Sequence, residues 1–154
     1  MEVVSINHIA KDFFRSEDLE RAEFYFLKSL EIQETPETLF FLGLLANQKK
    51  RPFLALNYFR RSVMTNPDYG NPYNEIGVIL LRQGQYRESM FWLKKSLQCR
   101  KHDAPHVPLY NLAALYKIWN RPERSLQYLY RALHVAPEFT QAIQLRDEIL
   151  AIYS

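Results

Sequence analysis

Residues 36–69, PETLFFLGLLANQKKRPFLALNYFRRSVMTNPDY, decide how this chain is read. The stretch is 34 residues long, and its marker residues return further along. Gly43 recurs as Gly77 and Phe59 as Leu93, each 34 residues on. Ala22, Ala55, Ser89 and Ser125 follow at steps of 33, 34 and 36, and Ser29, Ser62, Ser96 and Ala132 keep the same steps. A fixed period of this length belongs to stacked supersecondary units rather than to one closed globule.

Inside each period the apolar residues fall at helical spacing, three and four apart. Ile6, Ile9, Ala10 and Phe13 make a first stripe. Ser16-Glu17-Asp18 interrupts it, with Ser16 or Asp18 as N-cap for a helix carrying Leu19, Ala22, Phe26 and Leu30. Leu39, Leu42, Gly43 and Ala46 repeat the plan up to a break at Lys49-Lys50-Arg51-Pro52, where Pro starts the next helix at its first position. The cations there oppose the negative end of the preceding helix dipole, so local chemistry accounts for them. Gly84 supplies a stop in the third unit. A two-residue insertion lengthens the loop at Arg100 to Pro105 before the fourth unit, which opens near His106. The units read as 3–35, 36–69, 70–105 and 106–139, with a last helix over 140–154. Arg146 and Asp147 give that helix the polar face of a terminal cap. The expected fold is all-α, with nine helices and no strand.

Leu39-x2-Leu42-Gly43-x2-Ala46, then Ala55-x3-Phe59 and Pro67, resembles the tetratricopeptide repeat (TPR) pattern. Leu109-x2-Leu112-Ala113-x2-Tyr116, Ser125-x3-Leu129 and Pro137 repeat it, and Tyr73-x2-Ile76-Gly77 matches in the third unit. Lys101 stands where the closing Pro of unit three belongs, and residues 5–7 lack the large aromatic opener. The resemblance implies a right-handed α-solenoid of four helix-turn-helix units plus a capping helix, with the first helices lining a concave groove. Helix pairs at such close approach need small residues where they touch, which Gly43, Gly77, Ala10 and Ala113 supply against Ala55, Ser89, Ala22 and Ser125.

Composition narrows the function class. Hydrophobic residues are 47% of the chain and aromatics 14%, enough for a sizeable core and unlike a disordered segment. No apolar run reaches the length of a membrane span. The N-terminus lacks the apolar core of a signal peptide, and the single Cys99 allows no internal disulfide. A cytoplasmic location is the expectation. A net charge of +3, from 20 basic and 17 acidic residues, reads as too balanced for nucleic acid. Lys28, Arg61, Lys95 and Arg131 hold equivalent places and read as a solvated outer face.

Signals of catalysis are absent: there is no Gly-rich phosphate loop, no His-Glu-x-x-His helix and no strand-turn-helix serine. Cys99, His102, Asp103 and His106 fall in the lengthened loop at a spacing zinc could use, but no further Cys or His pair completes a site. The preferred reading is a polar loop beside a packed thiol, with neither metal nor cofactor. The expected activity is therefore non-enzymatic.

Carried over from the family resemblance, the groove set comprises Lys11, Arg15, Phe40, Phe41, Leu44, Asn74, Val78, Leu81, Arg82, Tyr110, Asn111 and Lys117. Phe40 and Phe41 should turn away from the core of their own unit, and either present an apolar contact surface or pack against the first unit. Lys11, Arg15, Arg82 and Lys117 form a basic rim, so the expected partner is a protein or peptide segment, apolar with acidic flanks. Asn111 stands where family members hydrogen-bond a ligand backbone. Glu75 would repel the carboxylate terminus that some TPR proteins clamp. The leading expectation is an adaptor. The alternatives are a TPR-type secretion chaperone for an extended client segment, or a regulatory or targeting module of a larger enzyme complex. The convex side offers Phe24, Tyr58, Phe91 and Trp92 as a competing surface for self-association.

Overall fold

A computed structural model describes residues 2–153. Among them are nine helices: α1 (Val3–Arg15), α2 (Leu19–Ile32), α3 (Pro36–Gln48), α4 (Pro52–Thr65), α5 (Asn71–Arg82), α6 (Tyr86–Gln98), α7 (His106–Ile118), α8 (Pro122–Val135) and α9 (Thr140–Tyr153). The described residues include no strand, only an isolated parallel bridge between Tyr69 and Lys101. Successive helices pair as α1/α2, α3/α4, α5/α6 and α7/α8, and each pair stacks on the next to form a right-handed α-solenoid closed by α9.

Small residues set the spacing inside each pair. A β-carbon on Gly77 would lie 2.7 Å from Cδ2 of Leu93, and one on Gly43 would enter the ring of Phe59. The buried serines do more than keep side chains small. Ser89 donates to the Gly77 carbonyl at 2.6 Å and Ser125 to the Ala113 carbonyl at 2.8 Å. Ser62 and Ser96 donate in the same way to the carbonyls of Pro36 and Gly70, at 2.7 and 2.9 Å. Each buried hydroxyl therefore keeps a partner, as burial of a polar group requires.

The turn inside each pair is the same four times. Glu17, Lys50, Gly84 and Asn120 hold φ of 63°, 57°, 77° and 54°. Immediately after them, Asp18, Arg51, Gln85 and Arg121 donate backbone N–H groups to the carbonyls of Phe13, Ala46, Leu80 and Tyr116 at 2.9–3.0 Å. This six-to-one bond is the Schellman closure of a helix C-terminus. Helix starts follow the sequence: Asp18 accepts from Arg21 N–H, Thr35 accepts from Thr38 N–H, and proline opens α3, α4 and α8.

The loop at 99–105 is built rather than slack. The Asp68 carboxylate accepts from the backbone N–H and the Nε of Arg100, both at 2.9 Å. Gly70 N–H donates to the Lys101 carbonyl at 2.7 Å, and Asn71 exchanges bonds with the backbone N–H and carboxylate of Asp103. The inserted residues thus strap the end of α6 onto the start of α5.

Candidate functional site

The odd-numbered helices share one side of the stack, where α5 touches α7 and α7 touches α9. At its N-terminal end Asn7 is buried and accepts from Thr38 Oγ1 at 3.1 Å, so it is part of the joint between α1 and α3. Lys11 pairs with Glu37 at 2.6 Å, and Arg15 donates to Asp12 at 3.2 Å. A cavity of about 680 Å³ opens here among Val4, His8, Lys11, Pro36 and Lys101.

Phe40 and Phe41 depart from the expectation. Phe40 is 9% exposed, meets Phe59 of its own pair and packs forward edge-on to Tyr69. Phe41 packs backward, stacked on Phe26 at 5.0 Å and edge-on to Phe14, with the Lys11 ammonium 5.8 Å from its ring centre. Helical spacing identifies the side that meets a helix's own partner. It does not show that stacked neighbours cover the two flanks, and these rings fill both. Leu44, Val78 and Leu81 are half-buried, and Leu81 packs on the cluster of Leu93, Leu112 and Leu115.

Mid-groove, Asn111 Nδ2 donates to Asn74 Oδ1 at 3.0 Å, and Asn74 is buried. Asn111 thus holds α7 to α5. Burial pushes the neighbouring Glu75 carboxyl above its usual range, with Arg82 pulling the other way. A cavity of about 110 Å³ lies between Phe40, Glu75 and Val107, closed by His102 and Ala104 of the strap. Arg82 is exposed and lines a separate opening of about 370 Å³ with Asn47 and Pro52.

The C-terminal part of the groove stays open. Tyr110, Ala114, Ile118 and Leu145 wall a cavity of about 510 Å³ between α7 and α9, with Gln141 and Gln144 beside it. Lys117 pairs with Glu148 at 2.9 Å on its rim, and Tyr110 rests edge-on against Phe139. Ile118 is 51% exposed inside this cavity.

Cys99, His102, Asp103 and His106, spaced in the loop as zinc could use them, point to different partners. His102 Nδ1 accepts from Ala104 N–H at 3.1 Å and Nε2 meets Ser96 Oγ at 2.7 Å, while His106 lies edge-on to Phe139. Cys99 Sγ points at the carbonyls of Lys95 and Pro67, and burial pushes its thiol up, away from thiolate reactivity. No group of three ligating side chains gathers among the described residues. Burial also lowers the pKa of His102.

On the outer side, Phe24 and Phe91 are exposed, whereas Tyr58 and Trp92 are half-buried, Trp92 against Tyr73. Between the third and fourth pairs a notch of about 660 Å³ is lined by Arg87, Lys94, Tyr116, Trp119, Arg121 and Arg124. Sequence reading missed this cluster, because its members come from three helices and the turn between two of them. The signal that could have found it is regional charge: residues 55–141 carry twelve basic and six acidic side chains, against seven and nine in residues 1–54.

Residues 55–141, more than half of the chain, match the family model described as the Est1 DNA/RNA binding domain. No curated protein matches the sequence. Among solved structures the chain is similar to Pseudomonas aeruginosa PilF, with a TM-score of 0.87 and 17% identity over 98% of this chain and 68% of that one. It is similar to PilW, described as a widely conserved type IV pilus biogenesis factor. There the TM-score is 0.81 and the identity 20%, over 91% of this chain and 64% of that one. YrrB, described as a TPR protein with an unusual peptide-binding site, gives 0.71 and 20% over 94% of this chain and 74% of that one. Likeness at these identities shows the fold, a tetratricopeptide solenoid. Among the described residues no helix is long and apolar enough to cross a membrane.

Proposed function

The chain belongs to the Est1 DNA/RNA binding domain family, and from its solenoid fold we propose a non-catalytic interaction module that seats a partner's polypeptide segment in the groove. The open cavity between α7 and α9 carries this reading. Its walls are Tyr110, Ala114, Ile118 and Leu145, and a half-exposed isoleucine inside a concave site is apolar area that a ligand side chain can cover. Gln141 and Gln144 sit within the same cavity, where their amides suit a peptide backbone. The segment this fits has one large aliphatic or aromatic side chain for the cavity. An acidic flank fits best near Arg82, since Lys11, Arg15 and Lys117 already lie within ion-pair distance of a carboxylate and Arg82, among the described residues, does not.

Selection of peptides from a displayed random library against the whole protein tests the reading. Selected peptides should carry a recurrent large apolar residue and lose affinity for Ile118→Asp, a change at an exposed position. Equal affinity for Ile118→Asp and wild type, with loss in Phe91→Asp, would move the site to the outer face.

A second reading is favoured by charge. The region that matches the family model holds twice as many basic as acidic residues, and a basic face is the electrostatic footprint of nucleic-acid contact. On this reading the outer side of residues 55–141 meets DNA or RNA while the groove remains available to protein.

A further inference from the structure

The positions that line the notch between the third and fourth helix pairs have counterparts between the first and second, and the two sets differ in charge. On the repeat alignment Arg87 takes the place of Glu20, Met90 that of Glu23, and Trp119 that of Lys49. In the first set Lys49 reaches back to Glu20 at 3.0 Å and also to Glu23, and these contacts, Glu23's first, raise its pKa. Those positions pair with one another, one lysine against two carboxylates. In the second, Arg87, Lys94, Arg121 and Arg124 line one cavity. None of the four has a carboxylate within ion-pair distance among the described residues. Arg87 and Arg124 also lie in the first turns of α6 and α8, and Arg121 is the N-cap of α8. Helix dipoles disfavour cations there. Glu88 and Glu123 share those first turns, yet neither reaches ion-pair distance of the four cations, so the cavity presents its positive charge to an anion from outside.

We propose that this notch is the place where the chain grips single-stranded nucleic acid, resting on the second reading above. The three guanidinium groups fork onto phosphate oxygens and Lys94 adds a point charge. Tyr116 and Trp119 line the same cavity and give a base or sugar an apolar wall, the pairing of basic groove and aromatic platform that sequence-tolerant strand binding uses. A duplex, whose bases are already stacked, gains nothing from that wall, so single strands are preferred.

The test uses fluorescein-labelled oligouridylate and oligothymidylate of about 12 nucleotides, titrated into the full chain by fluorescence anisotropy at several salt concentrations. The variant is Arg87→Glu with Arg124→Glu. Glutamate in a helix's first turn is favourable, so a merely structural role predicts an unchanged or higher melting temperature and unchanged anisotropy. Expected instead is a loss of affinity of about tenfold or more with the melting temperature held, and a shallower salt slope. The slope should fall by about 0.7 for each phosphate contact removed. If wild type binds the oligonucleotides and the double variant binds them equally well, the notch is not the site, and the family-level reading survives with its contact elsewhere. If wild type binds neither oligonucleotide, both fall. A phosphoserine peptide bound by wild type and lost in the variant would then assign the notch to a protein ligand.

Discussion

The imidazole of His102 lies against the α-carbon of Gly70, where any side chain would have to sit. A β-carbon added to Gly70 would run into His102 Cδ2 and come within 3.0 Å of the Ser96 carbonyl oxygen. His102 cannot swing away, because Ser96 and Ala104 hold its two nitrogens. Gly70→Ala should therefore cost about 1–3 kcal/mol by overpacking, read as a lower urea midpoint at unchanged slope. No loss of stability would mean the strap is loose.

The same ring confers a pH dependence. Its Nδ1 accepts a hydrogen bond from Ala104 N–H, so in the neutral form Nε2 carries the hydrogen and donates to Ser96 Oγ. A second proton has no acceptor on Nδ1, and burial lowers the folded-state pKa below its unfolded value. The unfolded chain thus binds more protons as pH falls below about 6.5. Stability is complete above that value and lost towards and below the folded pKa. Melting temperature should fall across this window in wild type and fall less in His102→Gln. Parallel curves would remove the histidine as cause.

Gly77→Leu should cost about 1–3 kcal/mol or more, since even one carbon there meets Leu93. Thermal unfolding followed by circular dichroism checks it, and a stabilised variant would contradict the packing of α5 on α6.

Lys50 holds φ of 57° at the position where the third turn uses Gly84. Lys50→Gly should raise stability by roughly 0.5–1 kcal/mol, because a lysine pays steric strain in that conformation and glycine does not. A lower melting temperature would show that the side chain contributes more than its backbone costs.

Phe41→Ala should cost about 2–4 kcal/mol of stability, given its stacking on Phe26 and contact with Phe14. Its effect on ligand binding therefore has to be read against a folding control, whereas Ile118→Asp does not carry that burden.

The period, the helix pairs and the small residues at their contacts were legible because they repeat at fixed offsets: Gly43 and Gly77 announce themselves by position alone. Three features were hidden. The shared turn conformation was masked because Glu17, Lys50 and Asn120 adopt what only Gly84 advertises. Phe40 and Phe41 misled because helical phase describes one helix and its partner, while the third dimension of a solenoid is set by neighbours on either side. The basic notch was averaged away, since Arg87 and Arg124 lie 37 residues apart and the chain's net charge conceals an acidic beginning.

A stack of repeats in which each unit touches only its neighbours frays from its ends one unit at a time. The strap adds bonds from Asp68 to Arg100, from Gly70 to Lys101 and from Asn71 to Asp103. Opening the third pair alone would break all of these together, so residues 66–105 behave as one closed cooperative block inside an otherwise linear array. Amide hydrogens there should exchange last, with protection decaying towards α1 and α9. The middle of the molecule is then the fixed frame, and the α7/α9 end of the groove is the part with freedom to adapt when something settles into it.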